Sequence, residues 1–125
     1  MTTENPNRLV WAEIPVTDMA RAKKFYETVL EAPLTDMDMG PNPMAMLPYA
    51  GGSDGAAAGH LYPGKPAKKG EGITAHLATT GELNDAMTRV RKGGGEVVSD
   101  VITIPAGSFF YAIDTEGNSV GIFMA

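Results

Sequence analysis

The chain has no cysteine, which excludes disulfides, thiolate metal sites and cysteine nucleophiles. No apolar run approaches the roughly 20 residues a membrane helix needs. Residues 1–9 are polar and lack the apolar core of a secretory leader. These absences set the expectation of a cytoplasmic protein with no membrane partner. Basic residues are in deficit: 10 Lys and Arg face 15 Asp and Glu, for a net charge of -5. Such a surface repels phosphate backbones, so no nucleic-acid partner is expected. The phosphate-cradling Gly-x-Gly-x-x-Gly and Gly-Lys-Ser/Thr patterns are missing, and no nucleophile elbow occurs. The triplet Gly93-Gly94-Gly95 follows a helical segment instead of preceding one, the wrong end for an anion.

What is present reads as one soluble α+β domain. Hydrophobic residues make up 43% of the 125 and charged residues 20%, a globular balance with enough chain for one core. Residues 10–16 alternate: Val10, Ala12, Ile14 and Val16 form one face of a strand, Trp11, Glu13 and Pro15 the other. Thr17 or Asp18 then caps a helix carrying Met19, Ala22, Phe25, Tyr26, Val29 and Leu30 on its apolar side, and Pro33 ends the segment. Residues 34–39, 44–47 and 56–62 read as three strands separated by turns at 40–43 and 51–55. The polar stretch 63–72 reads as a linker.

The second half repeats the pattern. Residues 73–79 alternate as a strand. Leu83, Ala86, Met87 and Val90 mark a helix, and the three glycines stop it. Strands follow over 96–104, 108–114 and 119–124. A strand-helix-three-strand unit cannot hide its own apolar face, so two copies (9–62 and 73–125) are expected to pack together.

Three stretches carry a family resemblance. They are Ala12-Glu13-Ile14-Pro15-Val16-Thr17-Asp18-Met19 with Phe25-Tyr26, the run from Leu83 to Glu96 ending in the glycine triplet, and Asp114-Thr115-Glu116-Gly117-Asn118 with the strands around it. In this order they make the chain similar to the vicinal oxygen chelate superfamily of glyoxalases, bleomycin-resistance proteins and extradiol dioxygenases. The resemblance implies two βαβββ modules forming a curved, incompletely closed sheet with helices outside. It also implies a small-molecule ligand in the concavity and a homodimer. In metal-dependent members the ligands sit on the first and last strands of each module. The matching positions here are Trp11, Thr74, Gly121 and either Gly59 or His60. An indole and a glycine cannot coordinate through their side chains and threonine is a poor ligand. No metal and no other cofactor is therefore expected.

With the helices over one face of each opening strand, Trp11, Glu13 and Pro15, and in the second half Thr74, His76 and Ala78, should face the concavity. Glu13 can serve as a general base, or be a paired or merely wet carboxylate. His76 can act as acid, base or ligand contact, or be a hydrogen-bonded strand histidine or dimer contact. Trp11, Phe109, Phe110, Tyr111 and Phe123 supply ring surface, either to a flat ligand or to the core. The alternation puts Phe109, Tyr111 and Ile113 opposite Phe110 and Ala112 without saying which side is inward. Met37, Met39, Met44 and Met46 can line a pliable pocket or dimer seam, or simply fill the core.

The leading expectation is a metal-free protein that binds a small apolar or aromatic molecule through Trp11, Thr74, Phe109, Tyr111, Gly121 and Phe123, with Glu13 and His76 as candidate catalytic groups. The alternatives are a lyase, isomerase or dioxygenase of the same superfamily, and a regulatory protein that binds a partner. Fold alone does not choose among them.

Overall fold

The computed structural model describes residues 8–37, 43–48 and 58–124. The first strand is β1, Ala12–Val16. Its Ile14 and Val16 are buried while Glu13 is exposed, as the alternation requires. Helix α1 spans Met19–Leu30. It starts where Asp18 turns extended and its carboxylate accepts from the Arg21 amide at 3.0 Å. It ends at Glu31, whose left-handed φ of 55° breaks the helical run. Ala22, Phe25, Tyr26 and Val29 are its buried stripe. Three short strands follow: β2 at Thr35–Met37, β3 at Met44–Met46 and β4 at Gly59–Pro63. Strand β4 includes Pro63, one residue into the expected linker. The other ends of the expected strands (residues 38–39 and 56–57) and the expected turns at 40–42 and 51–55 lie outside the described residues.

The second half gives β5 at Ala75–Ala78, helix α2 at Leu83–Lys92, β6 at Glu96–Val97, β7 at Ile102–Ile104, β8 at Gly107–Ile113 and β9 at Ser119–Met124. Leu83, Ala86 and Val90 are the buried face of α2. Past its end Gly94 takes a φ of 97°, open to glycine at little steric cost. Gly95 is there for a different reason: a Cβ on it would strike the Phe25 ring and lie 2.6 Å from the Ile113 carbonyl oxygen.

One expected strand is two. A single strand is expected over 96–104, yet β6 and β7 pair separately with β8. Val97 faces Ala112 and Ile102 faces Phe109, so five steps on one strand match three on the other. The surplus is absorbed where Ser99 Oγ takes the place of a backbone carbonyl, accepting from the Tyr111 amide at 2.8 Å. A serine that satisfies the ladder with its side chain lets the strand bulge without stranding a donor.

Two mixed sheets result, ordered β1-β4-β3-β2 and β5-β9-β8-β6, with β7 also on β8. In each, the first strand runs parallel to the last. The helices cover one face of both sheets, and residues from both halves join one core that includes Val16, Phe25, Tyr26, Leu61, Val90, Phe110 and Ile122.

Polar contacts lock the halves together. The Glu116 carboxylate accepts from the Thr17 and Asp18 amides at 3.0 and 2.9 Å and pairs with Arg21 at 2.8 Å. A carboxylate on the amides just ahead of α1 sits at the positive end of the helix dipole and is stabilised by it. Tyr26 Oη donates to Asp114 at 2.5 Å, and Asp114 also accepts from the Glu116 and Asn118 amides at 2.7 and 2.8 Å. The Asn118 side-chain amide donates to the Pro15 carbonyl at 2.8 Å. The residues from Asp114 to Asn118 are thus a turn and a clamp on the start of α1 at once.

Candidate functional site

The face turned away from the helices carries the site. Its orientation on β8 is settled by burial. Phe110 and Ala112 are fully buried with Val120 and Ile122 under the helices, so Phe109 and Tyr111 take the opposite face. There they meet His76 of β5 and Phe123 of β9. The His76 ring lies edge-on to Phe109, Tyr111 and Phe123, with centroids 5.0, 5.9 and 6.2 Å away. Phe109 stacks parallel to Phe123 at 6.0 Å. Edge and offset arrangements suit the quadrupoles of such rings.

Gly121 makes this cluster possible. It pairs with His76 across the parallel ladder, and the imidazole occupies the space where a side chain would stand. A Cβ there would collide with the ring, coming within 2.9 Å of its Cγ and closer still to Nδ1 and Cε1. The position that lacks a coordinating side chain is filled by its neighbour's imidazole. Thr74, also expected here, shares a 2.6 Å hydrogen bond with Ser119.

On the first sheet, Glu13 pairs with His60 as His76 pairs with Gly121. This register makes His60 the counterpart of Gly121 and settles the choice between Gly59 and His60. Gly59 itself has no room for a side chain, since its Cβ would strike the Ala12 carbonyl. His60 is 7% exposed. Its Nδ1 accepts from Trp11 Nε1 at 3.0 Å, and its Nε2 lies 3.6 Å from a Glu13 carboxylate oxygen. An Nδ1 that accepts carries no proton, so neutral His60 holds its proton on Nε2, toward Glu13. Tyr62 sits edge-on to His60, its ring centroid 6.1 Å away.

Glu13 therefore has His60 as its neighbour. Among the described residues no hydrogen bond or ion pair joins it to His76. The Glu13 side chain stays 66% exposed. Of the methionines, Met46 stands opposite His60 on the adjacent strand, Met37 and Met44 are half-buried, and Met39 lies outside the described residues.

Between β1 and β5 lies a cleft of about 640 Å³. Trp11, Glu13, Thr74 and His76 all line it, and so does Glu71. His76 joins the cleft to the aromatic cluster behind it.

The four positions matching the family's metal ligands thus hold Trp11, His60, Thr74 and Gly121. One imidazole is present, and one of its nitrogens already accepts from an indole. Among the described residues no three His, Asp or Glu side chains converge on a point that could hold an ion. This donor set does not fit a divalent metal.

Sequence reasoning undervalued His60 and passed over Tyr62 and Glu71. The residues before His60 are small, so the strand register was open. The internal repeat alone does not find it: the offset that aligns Glu13 with His76 would match Gly121 with Ala58, and only the two parallel registers put His60 there.

Solved structures share this fold. A glyoxalase/bleomycin resistance protein from Albidiferax ferrireducens is 21% identical with a TM-score of 0.64, covering 95% of this chain and 99% of its own. A glyoxalase-related enzyme from Fulvimarina pelagi is 12% identical with a TM-score of 0.64, covering 95% of this chain and 88% of its own. A superfamily member from Sphaerobacter thermophilus is 17% identical with a TM-score of 0.61, covering 95% and 98%. No curated protein matches the chain. The family model of the Glyoxalase/Bleomycin resistance protein/Dioxygenase superfamily matches residues 8–122, and the chain belongs to that superfamily.

Proposed function

We propose that this protein binds a small apolar or aromatic molecule in the cleft between β1 and β5, without a metal. The observation that carries the reading is the ring cluster of His76, Phe109, Tyr111 and Phe123 seated over Gly121. Of these rings only His76 lines the cleft itself, whose volume of about 640 Å³ is large enough for a compact ligand. Trp11, 39% exposed at the same cleft, reports occupancy as the chain's one tryptophan. Titration with quinoline should quench its fluorescence saturably, and His76→Ala should weaken binding by several-fold. Stoichiometric zinc, nickel, iron or manganese in the purified protein would overturn the metal-free part of the reading.

A second copy of the chain belongs to the proposal. Leu9 and Ile73, 84% and 93% exposed, sit at the cleft margin, where a dimer would cover them. Sedimentation showing a monomer at all accessible concentrations would remove it. The proposed setting is cytoplasmic. Among the described residues no helix is long and apolar enough to cross a membrane.

One observation favours a catalytic version of the same site. The Glu13 carboxylate has His60 Nε2 3.6 Å away and is otherwise open to the cleft, as a general base for a metal-free lyase or isomerase would be. Glu13→Gln would then abolish turnover while leaving ligand binding measurable. Equal turnover by the variant would exclude this role.

A further inference from the structure

We propose that the cleft selects organic cations: molecules that join a flat apolar body to one positive charge of the ammonium, pyridinium or amidinium kind. The proposal rests on the ligand-binding reading above and names the class of ligand.

The first support is the distribution of charge. The chain has ten Lys and Arg residues, and every one of them is among the described residues. None lines the cleft. Several are committed elsewhere: Arg21 to Glu116, Lys23 to Asp36, Lys69 to Glu96, and Arg89 to Glu31 and the Val29 carbonyl. Two carboxylates do line it, Glu13 on β1 and Glu71 in the segment before β5. Among the described residues Glu71 enters no ion pair, and Glu13 has only the edge of His60 at 3.6 Å. An anionic ligand would meet two like charges and no counter-charge. A cation would meet the reverse, in a cleft whose apolar walls concentrate the field.

The second support is the kind of apolar surface. Indole is the ring that attracts a cation most strongly through its face, and the half-exposed Trp11 immediately precedes β1, two residues before Glu13, and lines the same cleft. Its N–H is held by His60 Nδ1, and the other nitrogen of that imidazole lies 3.6 Å from the Glu13 carboxylate, so indole and carboxylate flank one ring. Carboxylate and indole lining one cleft therefore offer a charge and a π surface to the same guest. An uncharged guest would use only the second.

Three probes of similar size separate the terms: 1-methylquinolinium, quinoline and 1-naphthoate, titrated calorimetrically at pH 7.5. The cation should bind roughly tenfold more tightly than quinoline, the scale of one partly screened charge pair plus a cation–π contact. Naphthoate should bind weakest. Glu13→Gln with Glu71→Gln should bring the cation-to-quinoline ratio close to one. Glu82→Gln, at the N-terminus of α2 and away from the cleft, should keep the ratio and so separate the local carboxylates from the overall negative charge. Quinoline and naphthoate binding as tightly as the cation, or a ratio that survives the double substitution, overturns the charge selection alone. Failure of all three to bind overturns the ligand-binding reading along with it.

Discussion

Gly121→Ala is the most demanding test of how the site is built. On an extended strand alanine is intrinsically better than glycine by roughly 0.5–1 kcal/mol. The structure reverses that sign. The new methyl would occupy space held by the His76 ring, clashing with Nδ1, Cε1 and Cγ. The Gly121 backbone is fixed in ladders with both β5 and β8, so it is the imidazole that must leave. His76 is exposed enough to swing out, but doing so breaks its edge contacts with Phe109, Tyr111 and Phe123. Such aromatic pairs are worth about 0.5–1.5 kcal/mol each beyond burial, discounted here for exposure. The net loss should be about 1–2 kcal/mol, seen as a lower urea midpoint at unchanged slope. The decisive measurement is the cycle with His76→Ala. Once the imidazole is gone, Gly121→Ala should be neutral or stabilising by a few tenths of a kcal/mol. An equal loss in both backgrounds would refute the reasoning, because the methyl would then be meeting something other than His76.

Two further outcomes concern the clamp between the halves. The Glu116 carboxyl is held at about 2, below its ordinary 4.5, chiefly by its hydrogen bond to Arg21, against burial, which raises it. A lowered folded value means that the contribution is complete above pH 4.5 and fades as pH falls toward 2. With Arg21 half-exposed, it should amount to about 1–2 kcal/mol. Glu116→Gln should therefore cost that much in urea unfolding at pH 7 and much less at pH 3, and a pH-independent cost would contradict the assignment. Tyr26→Phe removes the buried donor to Asp114 and should destabilise by about 1.5–3 kcal/mol, the range for a hydrogen bond to a charged group. Burial first, and the adjacent Asp114 second, raise the Tyr26 hydroxyl well above its ordinary value. Spectrophotometric titration should accordingly find one tyrosine that ionises only on unfolding.

The two helices, the facing of β1 and the duplicated order were legible because each rests on local periodicity and local caps. Phe25, Tyr26 and Val29 fall on one side of a helix whatever lies beneath them. The same short-range signals failed over 96–104, where the branched residues argue for one strand. The bulge exists because β8 demands a different register on either side of Ser99, and that demand comes from pairing across the turn, not from the residues of 96–104 themselves.

The candidate site divides along the same line. Sequence named Trp11, Glu13, His76 and the aromatic residues of the last hairpin, and it identified which coordinating groups were lacking at Trp11, Thr74 and Gly121. Those are properties of residue types at positions in a repeat. It did not determine that Phe109 and Tyr111 face away from the helices, that Glu13 meets His60 rather than His76, or that an imidazole covers Gly121. Each depends on strand registers, such as Glu13 against His60 and His76 against Gly121, and on which sheet face the helices bury, and no local pattern fixes either. Local pattern chooses the element and its two faces. Only packing decides which face becomes core, and therefore which side chains are left to meet a ligand.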